Sequence, residues 1–206
     1  MFLEIAASGG KRMAGTGEKS QARVLGRLHF ELRQDMCPVT CANFLALVTG
    51  QMGVGLDGVL YHYKGCRLHR VSQTTFQSGD LLDQRGNCSR SIYNKGALFR
   101  DENFVLRHTG PGCLSMCNRG ADSNGSIFQV CFSEAPELDN AYVVIGSIVT
   151  KECFKTLDAI SRFSSQTGVP TEDLFITDCG IAYPDPNRYF DKMKALGERQ
   201  ARGVRK

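Results

Sequence analysis

Gly112-Cys113-Leu114-Ser115-Met116, Ser126-Ile127-Phe128-Gln129-Val130-Cys131-Phe132 and Tyr142-Val143-Val144-Ile145-Gly146-Ser147-Ile148 are three short apolar runs within one stretch of the chain. Segments rich in Gly, Asn and Asp separate them. Short apolar runs punctuated by turn formers predict antiparallel strands of a sandwich or barrel. Upstream, residues 66–71 form a fourth such run, and residues 24–32 (VLGRLHFEL) alternate apolar and polar. That alternation predicts a half-buried strand with Leu28, Phe30 and Leu32 on one face. Residues 2–6 and 174–182 read as a first and a closing strand.

Two helices interrupt the strands. Pro38 suits a first helical position, Ala42, Leu45 and Ala46 mark an apolar side, and Thr49-Gly50 supplies the stop, so a helix is predicted over 38–48. Leu157, Ile160 and Phe163 share a face of a second helix over 154–163. Residues 8–23 and 51–63 are Gly-rich and aperiodic and read as loops. Pro184 and Pro186 divide a body, residues 1–183, from an extension, residues 184–206.

Composition bounds what such a chain does. With 42% hydrophobic and 22% charged residues over 206 positions, wholesale disorder is excluded, and one domain is the natural expectation. No apolar run approaches the roughly 20 residues a membrane-spanning helix needs, so no membrane partner is expected. The start, Met1-Phe2-Leu3-Glu4, lacks a basic region followed by an apolar one. A secretory signal is therefore not expected, and a cytoplasmic or nuclear location is.

The net charge of +4 is unevenly placed: residues 187–206 hold seven basic residues against two acids, leaving the remainder at −1. Such a tail can contact nucleic acid, acidic protein or anionic lipid, but a solvated, frayed terminus is the preferred reading. Direct nucleic-acid binding is the weaker reading, because its only aromatics, Tyr189 and Phe190, stand at its start and no RNA-reading motif is visible. Nine cysteines, an odd number without C-x-x-C, predict buried thiols rather than disulfides. Cys37/Cys41 and Cys113/Cys117 lack His at zinc-finger spacing, so no metal and no cofactor is expected.

Chemistry enters with a set of ordered motifs. His69-Arg70 is followed by Ser91-Ile92-Tyr93, Asp101-Glu102-Asn103-Phe104, His108-Thr109-Gly110-Pro111-Gly112, Leu114-Ser115-Met116-Cys117-Asn118 and Asn124-Gly125-Ser126-Ile127-Phe128. In order and placement the set resembles the cyclophilins over residues 2–182. Residues 51–62, ahead of Tyr63-Lys64-Gly65-Cys66-Arg67-Leu68-His69-Arg70, look like the loop of the longer-loop members, and the 8–23 insert is longer than is usual there. The resemblance implies a closed eight-stranded antiparallel barrel capped by two helices, and peptidyl-prolyl cis–trans isomerase activity on proline-containing peptides or proteins.

That reaction rotates an amide whose resonance sets a barrier of about 18–20 kcal/mol. It needs no nucleophile, only a grip on the proline, exclusion of water and a cationic donor against the amide as resonance is lost. By resemblance Arg70 is that cation, a role suited to a permanently charged group with several fixed donors. Gln77 matches the family's glutamine and would bond the peptide or orient Arg70. His69, Phe76, Met116, Cys117, Asn118, Gln129, Leu138 and Tyr142 complete the implied peptide site. For Met116, together with Phe128 and Val130, plain core is the preferred reading.

The pattern also departs from the family. His69-Arg70-Val71-Ser72-Gln73-Thr74-Thr75-Phe76-Gln77 is one residue shorter between Arg and Gln than the family's H-R-I-I-x-x-F-x-x-Q. The family's phenylalanine therefore falls on Thr74 or Thr75. Phe76 substitutes for it only if a bulge or register change absorbs the lost residue, because strand neighbours face opposite ways. Ile127 stands in place of a second glutamine, Gln129 in place of the proline-pocket phenylalanine, and Arg119 in place of a small residue. Glu137, where many members carry Trp or His, predicts weak cyclosporin binding. A polar pocket opens an alternative: a catalytically weak or inactive binding module held in a larger assembly by its loops and tail. A monomer is expected in either case.

Overall fold

The three runs of the 112–148 stretch become consecutive strands in a computed structural model of the chain, which describes residues 1–9 and 22–182. In chain order the elements are β1 (Phe2–Ala7), β2 (Arg23–Leu32), α1 (Pro38–Thr49), β3 (Arg70–Val71), β4 (Thr75–Ser78), β5 (Cys113–Met116), β6 (Phe128–Cys131), β7 (Val144–Ile148), α2 (Lys151–Ser161) and β8 (Leu174–Gly180). A short 3₁₀ turn, Pro136–Leu138, lies between β6 and β7. All strand pairs are antiparallel, in the order β3-β4-β6-β5-β7-β2-β1-β8. The long insert, most of which spans 10–21, and the 184–206 extension with its Tyr189 and Phe190 lie outside the described residues.

The mainly β, cyclophilin-like architecture agrees with the expectation, but barrel closure does not. The sheet curls into a half-barrel whose edge strands, β3 and β8, form no ladder with each other. The predicted strand over 66–71 contributes only its last two residues to β3. Its first part instead meets β8 through one isolated bridge, Arg67 opposite Phe175, and through backbone bonds such as Leu68 N–H to Leu174 O (2.9 Å) and Ile176 N–H to Cys66 O (2.9 Å). A two-residue edge strand is too short to carry a ladder across the seam. On the edge of β3, Val71 N–H instead donates to Gly168 O (2.8 Å), so a loop covers what the barrel leaves open.

The helices pack where their apolar faces require. α1 ends at Gly50 in the left-handed conformation, one residue beyond Thr49, close to the predicted stop. Its start is held from outside: the Glu102 carboxylate accepts from Val39 N–H, Thr40 N–H and the Thr40 hydroxyl at 2.7–3.1 Å. α2 begins three residues before its predicted start and buries Cys153, Thr156, Leu157 and Ile160, while Phe163 packs on the core from beyond its end. It lies so close to β2 that a Cβ at Gly26 (φ +144°) would collide with Thr156.

The core fills the concave side of the sheet. Phe44, Tyr63 and Phe128 form an aromatic triangle with centroids 5.0–5.1 Å apart. All nine cysteines are free thiols and eight are buried, in line with the odd count and the absence of C-x-x-C. No helix among the described residues is long and apolar enough to cross a membrane.

Candidate active site

Arg70 pairs with Gln77 across the β3–β4 hairpin, Gln77 with Gln129 across β4–β6, and Gln129 with Ser115 across β6–β5. Directly opposed residues share a face, so these four side chains form one polar row across four strands. Neighbouring positions form a second row, Val71, Phe76, Val130 and Leu114, on the opposite face. The second row is wholly buried and belongs to the core.

The hairpin explains the missing residue. Ser72–Thr75 make a tight turn in which Ser72 N–H donates to Thr75 O (2.9 Å) and the Ser72 hydroxyl accepts from Thr75 N–H (3.1 Å). The turn absorbs the deletion, and the ladder runs on in plain register without a bulge. Phe76 consequently points to the core, 0% exposed and 6.0 Å from the Phe132 ring, and does not line the peptide face. On the peptide face stands Thr75, two residues from Gln77 and small. The condition under which Phe76 would rebuild the pocket is not met.

A cleft of about 630 Å³ opens along the exposed end of the polar row. Arg70, Gln77, Cys117, Asn118 and Tyr142 line it, as expected for a peptide site. Arg119 and Ile127 join them, together with residues 86–90 and 96–98, which sequence reading did not single out. Met116 is wholly buried with the core, Leu138 packs on Cys113, Cys131 and Ala135, and His69 lies beneath Gly86; none of the three lines the cleft. Gln129 is 2% exposed and sits behind Gln77. Glu137 is exposed on the 3₁₀ turn.

Arg70 is exposed, and its guanidinium lies over Gly168 (φ +81°), where a Cβ would come within 3.0 Å of Cζ. Among the described residues it makes no ion pair. Asn118, at the cleft lining, has its side chain fixed by donating to Ala141 O (3.0 Å). Burial pushes the Cys117 thiol well above its ordinary range, so it is not a thiolate nucleophile.

The buried half of the row continues inward. Gln77 Nε2 donates to Gln129 Oε1 (3.4 Å), and Gln129 Nε2 donates to the Ser115 oxygen (3.2 Å). Ser115 meets His108 Nε2 at 3.0 Å, and His108 Nδ1 meets Asp139 Oδ1 at 2.9 Å. Gln129 is thus an acceptable buried side chain because both ends of its amide are bonded. His108, Ser115 and Asp139 were not among the predicted site residues; the only sign of them was the presence of His108 and Ser115 in two of the quoted motifs.

Asp80 shapes the opposite wall. Its carboxylate accepts from the N–H groups of Leu82, Asp83, Gly86, Asn87 and Cys88 at 2.8–3.2 Å. Burial alone would raise its carboxyl, but hydrogen bonding with the Asp83 side chain first, and then with these N–H groups, outweighs burial and holds it well below the usual range. Asp80, Asp83 and Cys88 have ligand atoms within 4.8 Å of one another, yet both Asp80 oxygens already serve the loop backbone.

The motifs that carried the resemblance turn out to be fold staples around this cleft. Asn43 donates to Gly125 O (2.7 Å) and accepts from Ile92 N–H (2.9 Å), the Tyr63 hydroxyl donates to Ser126 O (2.7 Å), and Asn103 donates to Met36 O (2.9 Å). A family model described as cyclophilin type peptidyl-prolyl cis-trans isomerase/CLD matches residues 18–181. With the match covering well over half of the chain, and with this strand order and cleft, the chain belongs to the cyclophilin-type peptidyl-prolyl cis–trans isomerase family.

Proposed function

We propose that the chain is a peptidyl-prolyl cis–trans isomerase that binds proline-containing segments in the Arg70 cleft. The observation that carries this reading is the register pair Arg70–Gln77, which presents a free guanidinium and an amide side by side at one end of the cleft, with Asn118 among its other lining residues. Arg70 is the catalytic cation: it donates to the amide as resonance is lost, while Gln77 and the Asn118 backbone hold the peptide. Uncatalysed rotation takes about 10–100 s. A turnover of about a millisecond would demand roughly 10⁴–10⁵-fold acceleration, or about 5.5–7 kcal/mol. One well-placed donor supplies about 2.7–4 kcal/mol, so peptide positioning has to supply the remainder. The protein acts as a monomer, in the cytoplasm or nucleus, and binds cyclosporin weakly.

A specific observation favours a second reading, a binding module with little turnover. Among the described residues that line the cleft, Tyr142 is the only aromatic, because Phe76 is in the core and Gln129 replaces an apolar ring. In that reading a protein assembly uses the 51–63 loop, where Val54, Leu56 and Leu60 are exposed. The deciding experiment is NMR exchange spectroscopy on Ala-Pro and Gly-Pro peptides. Exchange broadening with the native chain that vanishes in Arg70→Ala supports the enzyme. Shift perturbation without accelerated exchange supports the module, and neither response overturns both readings.

A further inference from the structure

Arg70, Arg90 and Arg119 all line the cleft, and among the described residues no Asp or Glu does. The nearby carboxylates are engaged elsewhere. Asp57 holds Arg90 (Nε to Oδ2, 3.1 Å). Asp101 lies behind Asn118 and accepts from Asn118, Asn124 and Asp122 N–H. Asp80 is saturated by the backbone of its own loop. Two guanidinium groups, Arg70 and Arg119, therefore face the cleft without a carboxylate partner among the described residues.

Arg119 is also held in place. Its Nη2 donates across the cleft to Gly86 O and Asn87 Oδ1, both at 3.1 Å. These neutral acceptors fix the planar group without cancelling its charge, and they leave other N–H donors free. A guanidinium oriented before binding loses less entropy when it engages an anion. Its fork geometry matches a carboxylate or phosphate.

Resting on the reading of this cleft as a prolyl-peptide site, we infer that it selects prolyl segments bearing an anionic side chain, a carboxylate or a phosphate monoester, close to the proline. Arg119 is the specificity-determining residue, and Arg70 adds to the attraction while serving the amide.

The test is a titration of the full chain with short peptides that vary one position at a time, two residues before to two after the proline. Each position carries Glu, phosphoserine, Ala or Lys. At low salt, Glu or phosphoserine at one position or more should bind about five- to tenfold tighter than Ala, with Lys weakest. The comparison of Glu with phosphoserine identifies the source of the anion. The advantage should shrink as added salt screens the charges, disappear in Arg119→Ala and return in Arg119→Lys. Arg162→Ala removes equal charge from α2, where Arg162 is paired with Asp158, and should leave the preference intact. Equal affinity for the Ala and Glu peptides would overturn this inference and leave the prolyl site standing. A preference that survives in Arg119→Ala would overturn it as well. Failure of every peptide to bind would overturn the prolyl site itself.

Discussion

Two rows of side chains cross the same four strands one residue apart, and they obey opposite rules. Val71, Phe76, Val130 and Leu114 exclude water completely, and their interactions are non-directional. Arg70, Gln77, Gln129 and Ser115 grade from an exposed cation to a buried hydroxyl, and directional bonds join the last three. The apolar row tolerates a repacking of similar volume. The polar row is sensitive at its buried links, from Gln77 to Ser115, because losing one partner there leaves a buried group unsatisfied. The contrast shows how a sheet that is ordinary on its inner face supports an unusual site on its outer one.

The comparison can be broken most severely at Phe76. Phe76→Ala should cost about 3–5 kcal/mol in stability, read as a lower urea midpoint at unchanged slope. A cost below about 1 kcal/mol would return Phe76 to the peptide face. Arg70→Ala should do the reverse: catalysis falls about 100- to 1,000-fold in NMR exchange, while the melting temperature barely moves.

Ser115→Ala sharpens the contrast. It leaves Gln129 Nε2 and His108 Nε2 without their Ser115 partner, while His108 Nδ1 keeps Asp139, and should cost about 1–3 kcal/mol by chemical denaturation. A double-mutant cycle with Gln129→Leu should show coupling of about 0.5–3 kcal/mol; additivity would mean the chain of bonds is not one unit.

The smallest effect concerns His69, beneath the cleft wall. Burial lowers its pKa, so the folded state favours the neutral ring. Because the folded pKa lies below the unfolded one, this contribution is present above the unfolded value and is lost as pH falls toward the folded one. Melting temperature measured from pH 7.5 to 5 should decline less steeply in His69→Gln than in the native chain.

Much of this was legible in sequence, residue by residue. Alternation placed Leu28 and Phe30 inside, and Pro38 and Gly50 marked the ends of α1 within a residue. Arg70, Gln77, Asn118 and Tyr142 were found from their motifs and do meet in one cleft. β4 was missed as a separate strand because Thr75-Phe76-Gln77-Ser78 carries one apolar residue, which gives no period to read. The Asp139–His108–Ser115 link was missed because its members are 7 and 31 residues apart from His108, and no local pattern signals a bond over such distances.

The strand-rich body, the two helices and the family were readable along the chain, because side-chain periodicity and ordered motifs are local properties. Only the tertiary structure decided that the short Ser72–Thr75 turn absorbs the deletion and commits Phe76 to the core. It also decided that the seam between β3 and β8 stays open, and that Arg119 spans the cleft without a carboxylate partner. Register, closure and charge pairing depend on residues far apart in sequence, and these are settled when the chain packs against itself.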